Sequence, residues 1–127
     1  MIFGIGTDLV QVERIAATWE RFGEHFVDRL LLPEERAIFD ANRRPVRFLA
    51  MRFAAKEAIA KALGTGFRNG VWIRDFGFMP NAWGRPEVRF SPRGRAVADR
   101  LGAGEGHVSL TDEAGFVMAF AVLMRQS

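Results

Sequence analysis

The segment 52–66, Arg-Phe-Ala-Ala-Lys-Glu-Ala-Ile-Ala-Lys-Ala-Leu-Gly-Thr-Gly, constrains this chain more than any other. Five alanines between positions 54 and 62 make it a strong helix former, and Gly64 stands just past the last apolar residue, where a left-handed cap belongs. Alanine also leaves room. Other backbone or a ligand can approach such a helix closely, and charges on it sit low against their neighbours. Three charges occupy it: Lys56, Glu57 and Lys61. The chain has 2 lysines, both here, against 16 arginines, which suggests that these positions need a compact ammonium rather than a planar fork. Taken alone, Glu57 and Lys61 at i and i+4 read as a surface pair worth about 0.2–0.5 kcal/mol.

Ahead of this helix, residues 2–10 alternate as a strand. Phe3, Ile5, Thr7 and Leu9 point one way, while Gly4, Gly6 and Asp8 share the other face with Ile2 and Val10. Two glycines beside an aspartate leave a bare strip where another element or a ligand can lie, with a carboxylate at its end. The plainer reading makes Asp8 a turn or cap residue. Residues 12–22 then follow a helical period, with Val12, Ile15, Trp19 and Phe22 as the buried stripe and Arg14, Thr18 and Arg21 outward. Such arginines form a solvated face or meet an acidic partner helix.

Residues 26–32 read as an extended connector. Pro33 with Glu34 and Glu35 starts a helix to about position 41, and a long helix runs from about 45 to 63. Arg43, Arg44, Arg47 and Arg52 crowd the entry to the alanine-rich segment, as a solvated basic edge or a holder of phosphates. After a short loop come expected strands at 71–78 and 86–90, joined by a turn with Pro80, Asn81 and Gly84. Ser91 and Pro92 open a helix that Gly102 stops. Residues 107–111 alternate again, a turn spans 112–115, and 116–124 is apolar on both faces, as a central strand or one covered by another subunit would be.

At 127 residues with 49% hydrophobic content and 12 phenylalanines, the chain fits one ordered domain, 1–127, of mixed α+β type. The absence of cysteine removes thiol catalysis, disulfides and cysteine-ligated zinc, and His25 and His107 are too few for a histidine-rich metal site. Any metal is then a hard, oxygen-liganded ion such as Mg²⁺. A net charge of +3 favours anionic partners. No apolar run reaches the roughly 20 residues that span a bilayer. The expectation is a cytoplasmic protein without a membrane partner.

Gly4-Ile-Gly-Thr-Asp8, the segment 52–66 and His107-Val-Ser-Leu-Thr111, in this order, closely resemble the holo-acyl-carrier-protein synthases, the short group of 4'-phosphopantetheinyl transferases. Asn81-Ala-Trp-Gly-Arg-Pro86 resembles that family's turn before its next strand. The resemblance implies a mainly antiparallel sheet with a long central helix packed on it. It also implies transfer of 4'-phosphopantetheine from coenzyme A to a serine of apo-acyl carrier protein, with Mg²⁺, in fatty acid biosynthesis. Asp8 and Glu57 would then be magnesium ligands, Lys61 would lie by the pyrophosphate, and His107 at the coenzyme; these four form the implied catalytic set. Arg44, Arg52, Lys56, Gly64 and Thr65 would line the coenzyme pocket with them. Arg14 and Arg21 would meet the carrier protein, and a homotrimer would carry its sites at subunit interfaces. Position 112 is Asp where many relatives carry histidine, and Leu32 replaces the hydroxyl residue that normally caps the next helix.

The residue types suit that chemistry independently. Mg²⁺ commonly takes one or two carboxylates and completes its shell with water and phosphate oxygens. Attack on a phosphorus is mainly a problem of positioning and charge, and the attacking serine belongs to the partner. A metal-bound water, Glu57 or Asp8 each suits the general base. An arginine-rich nucleic-acid-binding module is the alternative, but it leaves Asp8 and Glu57 unexplained.

Overall fold

The structure, a computed structural model, describes residues 1–68 and 70–127; Asn69, in the short loop expected after Gly66, lies outside them. Its elements are β1 (Ile2–Gln11), α1 (Val12–Phe22), α2 (Glu24–Leu30), α3 (Pro33–Asp40), α4 (Pro45–Leu63), β2 (Phe76–Pro80), β3 (Pro86–Phe90), α5 (Pro92–Leu101), β4 (Ala103–Glu113) and β5 (Phe116–Arg125). The fold is α+β, a five-stranded sheet in the order β1-β5-β4-β3-β2 with every neighbouring pair antiparallel.

Long helix α4 lies on one face of the sheet, against β1 and β5. Alanines at 54, 55, 58 and 62 are buried, as are Val117, Ala119, Ala121 and Leu123 on β5. The bare strip of β1 explains how close the two come. A Cβ at Gly4 would run into the carbonyl oxygen of Ala62, and one at Gly6 into that of Ala58. Backbone therefore meets backbone, and Asp8, two residues beyond Gly6 and paired with Ala119, faces the same side as α4. Gly64, at φ 87°, ends α4 in the left-handed conformation expected.

Among the described residues, no element covers the sheet's other face along β1 and β5. Ile5, Thr7 and Leu9 on β1 pair across to Val122, Phe120 and Met118 on β5, which pair in turn with His107, Ser109 and Thr111 on β4. Leu9 is 65% and Met118 45% exposed. The doubly apolar β5 is thus central in the sheet, buried against α4 on one side and open on the other.

Several local expectations are corrected. Residues 24–30 form a helix rather than a connector, because Val27 and Leu30 at i and i+3 reach the core while Gly23, at φ 54°, turns the chain out of α1. Phe22, expected in the buried stripe of α1, is exposed. Residues 73–75 make a 3₁₀ turn ahead of β2, since the Asp75 carboxylate accepts from Trp72 N at 2.8 Å. Strand β4 begins at Ala103, four residues earlier than its alternation reveals, because Gly104 and Gly106 conceal the pattern. The β4–β5 turn is tighter than four residues: Ala114 and Gly115, at φ 53° and 82°, carry it.

Candidate active site

The contact of α4 with β1 brings three expected residues together. The Lys61 ammonium donates to Thr7 O at 2.8 Å and to Asp8 Oδ1 at 3.3 Å. Glu57, one turn earlier on α4, lines with Asp8 and Arg14 a cavity of about 300 Å³ whose wall includes Phe53. Burial pushes the Asp8 carboxyl above its ordinary value despite the Lys61 bond. Burial likewise raises Glu57, and the Asp8 charge raises it further. Two half-buried carboxylates thus repel one another with a single ammonium between β1 and α4 to offset them. Lys61 answers Asp8 rather than closing the i,i+4 pair with Glu57.

A second cavity, of about 660 Å³, opens elsewhere on the chain, lined by Arg47, Arg52, Arg85, His107 and Phe120 among others. Arg47 is held by Asp112 through two bonds, Nε to Oδ2 at 2.8 Å and Nη2 to Oδ1 at 3.0 Å. That ion pair holds the Asp112 carboxyl below its ordinary value and gives this position a structural partner. Arg52 is almost wholly buried, its guanidinium 4.3 Å from the Phe48 ring centroid and 3.9 Å from that of Phe78. Burial lowers its pKa, opposed by Glu35.

Beneath this cavity Glu35 is fully enclosed. Its oxygens accept from Leu32 N at 3.0 Å, Arg52 Nη1 at 3.3 Å, Phe78 N at 3.4 Å and the Lys56 ammonium. Lys56 is also fully enclosed, donating to Glu35 and to the Phe76 carbonyl, and burial lowers its pKa. Lys56, expected at a coenzyme pocket, has its ammonium bonded inside the core and lines neither cavity. The bond from Leu32 N also supplies half of a capping box where the hydroxyl is missing.

The family model described as the 4'-phosphopantetheinyl transferase superfamily (ACPS) matches residues 4–121. The chain belongs to that superfamily. Within it, a holo-[acyl-carrier-protein] synthase of Thiobacillus denitrificans is 50% identical over 123 residues, 97% of this chain and 94% of the relative. The crystal structure of a holo-[acyl-carrier-protein] synthase from Neisseria meningitidis superposes with a TM-score of 0.92 at 42% identity, covering 98% of this chain and 100% of that one. A holo-(acyl-carrier-protein) synthase of Bacillus anthracis, in complex with CoA (3',5'-ADP), superposes at 0.80 with 31% identity, covering 100% and 99%. This phosphopantetheinyl transferase is therefore an enzyme of the holo-[acyl-carrier-protein] synthase group.

In this transferase the expected residues divide. Asp8, Glu57, Lys61 and Arg14 gather at the smaller cavity, and Arg52 and His107 at the larger. Arg44 is exposed just ahead of α4, its backbone N–H bound to Asn42 Oδ1 at 2.8 Å, and borders neither. Gly64 and Thr65 stand past the other end of α4 and border neither cavity; the Thr65 hydroxyl donates to Gly66 O at 2.8 Å. Arg21 is exposed on α1, over the ring of Phe22 at 5.1 Å. Residues that sequence reasoning passes over are Phe53, Arg85 and above all Glu35. The spacing from Leu32 to Glu35, that of a capping box without its hydroxyl, is the one signal that marks Glu35.

Proposed function

We propose that residues 1–127 act as one catalytic domain that transfers 4'-phosphopantetheine from coenzyme A to a serine of apo-acyl carrier protein, with Mg²⁺, in the cytoplasm and as a homotrimer. The observation that carries this reading is the meeting of Asp8 on β1 with Glu57 and Lys61 on α4. The serine oxygen attacks the β-phosphorus, the bond from that phosphorus to the bridging oxygen breaks, and adenosine 3',5'-bisphosphate leaves.

Among the described residues no cluster of three or more His, Asp or Glu side chains would cage a metal. Two carboxylates with surplus negative charge instead fit an ion that keeps water and phosphate oxygens in its shell, as Mg²⁺ does. Asp8 and Glu57 would hold it, and when bound it supplies positive charge to the phosphate oxygens. Lys61, with an ammonium half exposed, reaches toward the same oxygens. A metal-bound water, Glu57 or Asp8 each suits as acceptor of the serine proton. Arg52 and His107 face the coenzyme, and Arg14 and Arg21, exposed along α1, dock the carrier.

The trimer reading draws on the open face of the sheet. A patch of Ile5, Leu9, Met118 and Phe120 on edge strand β1 and its neighbour β5 is a surface that association would cover. It also joins the two cavities into one site, since a head-to-tail contact sets the Asp8 side of one chain against the His107 side of the next. No helix among the described residues is long and apolar enough to cross a membrane.

The test is the intact mass of apo-acyl carrier protein after incubation with this protein, coenzyme A and Mg²⁺, with and without EDTA. A gain of one phosphopantetheine unit that EDTA suppresses is expected. No gain across several carriers, from folded protein that binds coenzyme A, would overturn the transfer reading.

A further inference from the structure

We infer that Glu35 is a positioning residue of the coenzyme subsite, holding the Arg52 guanidinium so that its unbonded edge faces the larger cavity as an anion ligand. The inference rests on the coenzyme reading of Arg52 proposed above. Three fixed walls surround that guanidinium. The Arg52 Cζ lies over the Phe48 and Phe78 rings, 4.3 and 3.9 Å from their centroids, and Glu35 Oε2 accepts from Nη1 at 3.3 Å. Among the described residues Arg52 has no other hydrogen bond, and it lines the 660 Å³ cavity with Arg47, Arg85 and His107. A planar fork packed against two rings and bonded along one edge meets a ligand through the edge that remains.

Charge points the same way. Lys56 and Arg52 are two buried cations that share the single carboxylate of Glu35, so the cluster keeps one surplus positive charge. Lys56 is sealed in the core between Glu35 and the Phe76 carbonyl, which leaves Arg52 as the member where an anion can balance that surplus. Arg47 and Arg85 also border the cavity, yet both side chains are far more exposed, and the Arg47 fork already has its charge answered by Asp112. Glu35 is itself immobile, because donors from three segments, Leu32 N before α3, two side chains of α4 and Phe78 N on β2, converge on its oxygens.

Removing the carboxylate alone strands the Lys56 ammonium in the core, so the test uses Glu35→Gln together with Lys56→Met. Calorimetry with coenzyme A, and KM for coenzyme A and for carrier protein, are measured in the native protein, this double variant, Arg52→Gln and the triple variant. The double variant is expected to melt cooperatively and to weaken coenzyme A binding roughly 10-fold, with KM for carrier changed less than about twofold. Arg52→Gln is expected to weaken coenzyme A binding in the native background and to add little in the double variant, because the two side chains act as a unit. An Arg52→Gln effect that persists in full in the double variant, or unchanged coenzyme A binding in the folded double variant, would overturn the role of Glu35 alone. Arg52→Gln without effect in the native background would overturn the coenzyme reading of Arg52, and this inference with it. A measurement on the unmutated protein stands apart from variant folding. The Arg52 side-chain N–H resonance is expected to exchange slowly with water before coenzyme A is added and to shift on its addition; fast exchange in the free protein would refute the clamp.

Discussion

Replacing Gly6 with alanine tests the contact that brings Asp8 to Glu57 and Lys61. A Cβ there would collide with the Ala58 carbonyl oxygen and lie 2.7 Å from Ala62 N and 2.9 Å from Lys61 Cβ. Two of these atoms are helix backbone, which cannot rotate aside. Carbon contacts are comfortable near 3.5–4 Å, so α4 must retreat by about 1 Å. Overpacking of this kind costs about 1–3 kcal/mol, and the backbone nature of the clash places Gly6→Ala near the upper end. For a chain of this length that lowers Tm by roughly 8–12 °C. The retreat also parts Asp8 from Glu57 and Lys61, so stabilisation by added Mg²⁺ and coenzyme A should weaken beyond what the melting loss accounts for. Gly104→Ala is the control, since its Cβ meets nothing closer than 3.4 Å; relieved of a strand glycine, it should be neutral or more stable by about 0.5 kcal/mol. Urea unfolding and thermal melts with and without ligand measure both. Gly6→Ala within about 0.5 kcal/mol of Gly104→Ala would refute the close approach.

Glu57→Gln should abolish transfer while raising the melting temperature of the metal-free protein at neutral pH, since it removes a charge that burial and Asp8 both disfavour; turnover near native at saturating Mg²⁺ would contradict the ligand role. Because the folded Asp8 and Glu57 carboxyls are raised, their protonated forms favour the fold. Metal-free stability should gain as pH falls through the raised values toward the ordinary 3.8 and 4.5 and be lost as pH rises through them, and Glu57→Gln should shrink the change seen in melts across that range. Arg14→Glu should raise KM for the carrier by roughly 10-fold or more and leave KM for coenzyme A alone; equal effects on both would count against docking. Phe120→Arg, on the open sheet face, should yield a monomer in sedimentation that has lost transfer, and a variant that remains a trimer would remove this face from the interface.

Elements bounded by strong punctuation were legible from the chain alone. Helix α4 runs from a proline to a left-handed glycine, α5 from Ser91 and Pro92 to Gly102, and the turn before Pro86 marks β3. Helix α2 was not, because Val27, Leu30, Leu31 and Leu32 suit an extended run as well as a helix, and the tertiary burial of Val27 and Leu30 decides between them. At the site, the bare strip of Gly4 and Gly6 ending in Asp8 marks where another element or a ligand can lie close, and the structure shows that α4 is what lies there. Glu35 has no such signature: an acid in the first helical turn after a proline has an ordinary reading as a partner of the helix dipole. The same holds for Lys56. Its alanine neighbours signal a helix buried on most sides, yet only the position of α3 shows that a carboxylate waits for it inside.

The separation of the two cavities on a single chain has a genetic reading. Where neighbouring chains complete each other's sites around a ring, a chain damaged at Glu57 still offers a sound His107 half, and a chain damaged at His107 still offers a sound Glu57 half. Two individually dead copies, co-expressed, then rebuild about a quarter of the subunit boundaries intact, so a defect at one cavity and a defect at the other behave as complementing alleles while two defects at the same cavity do not.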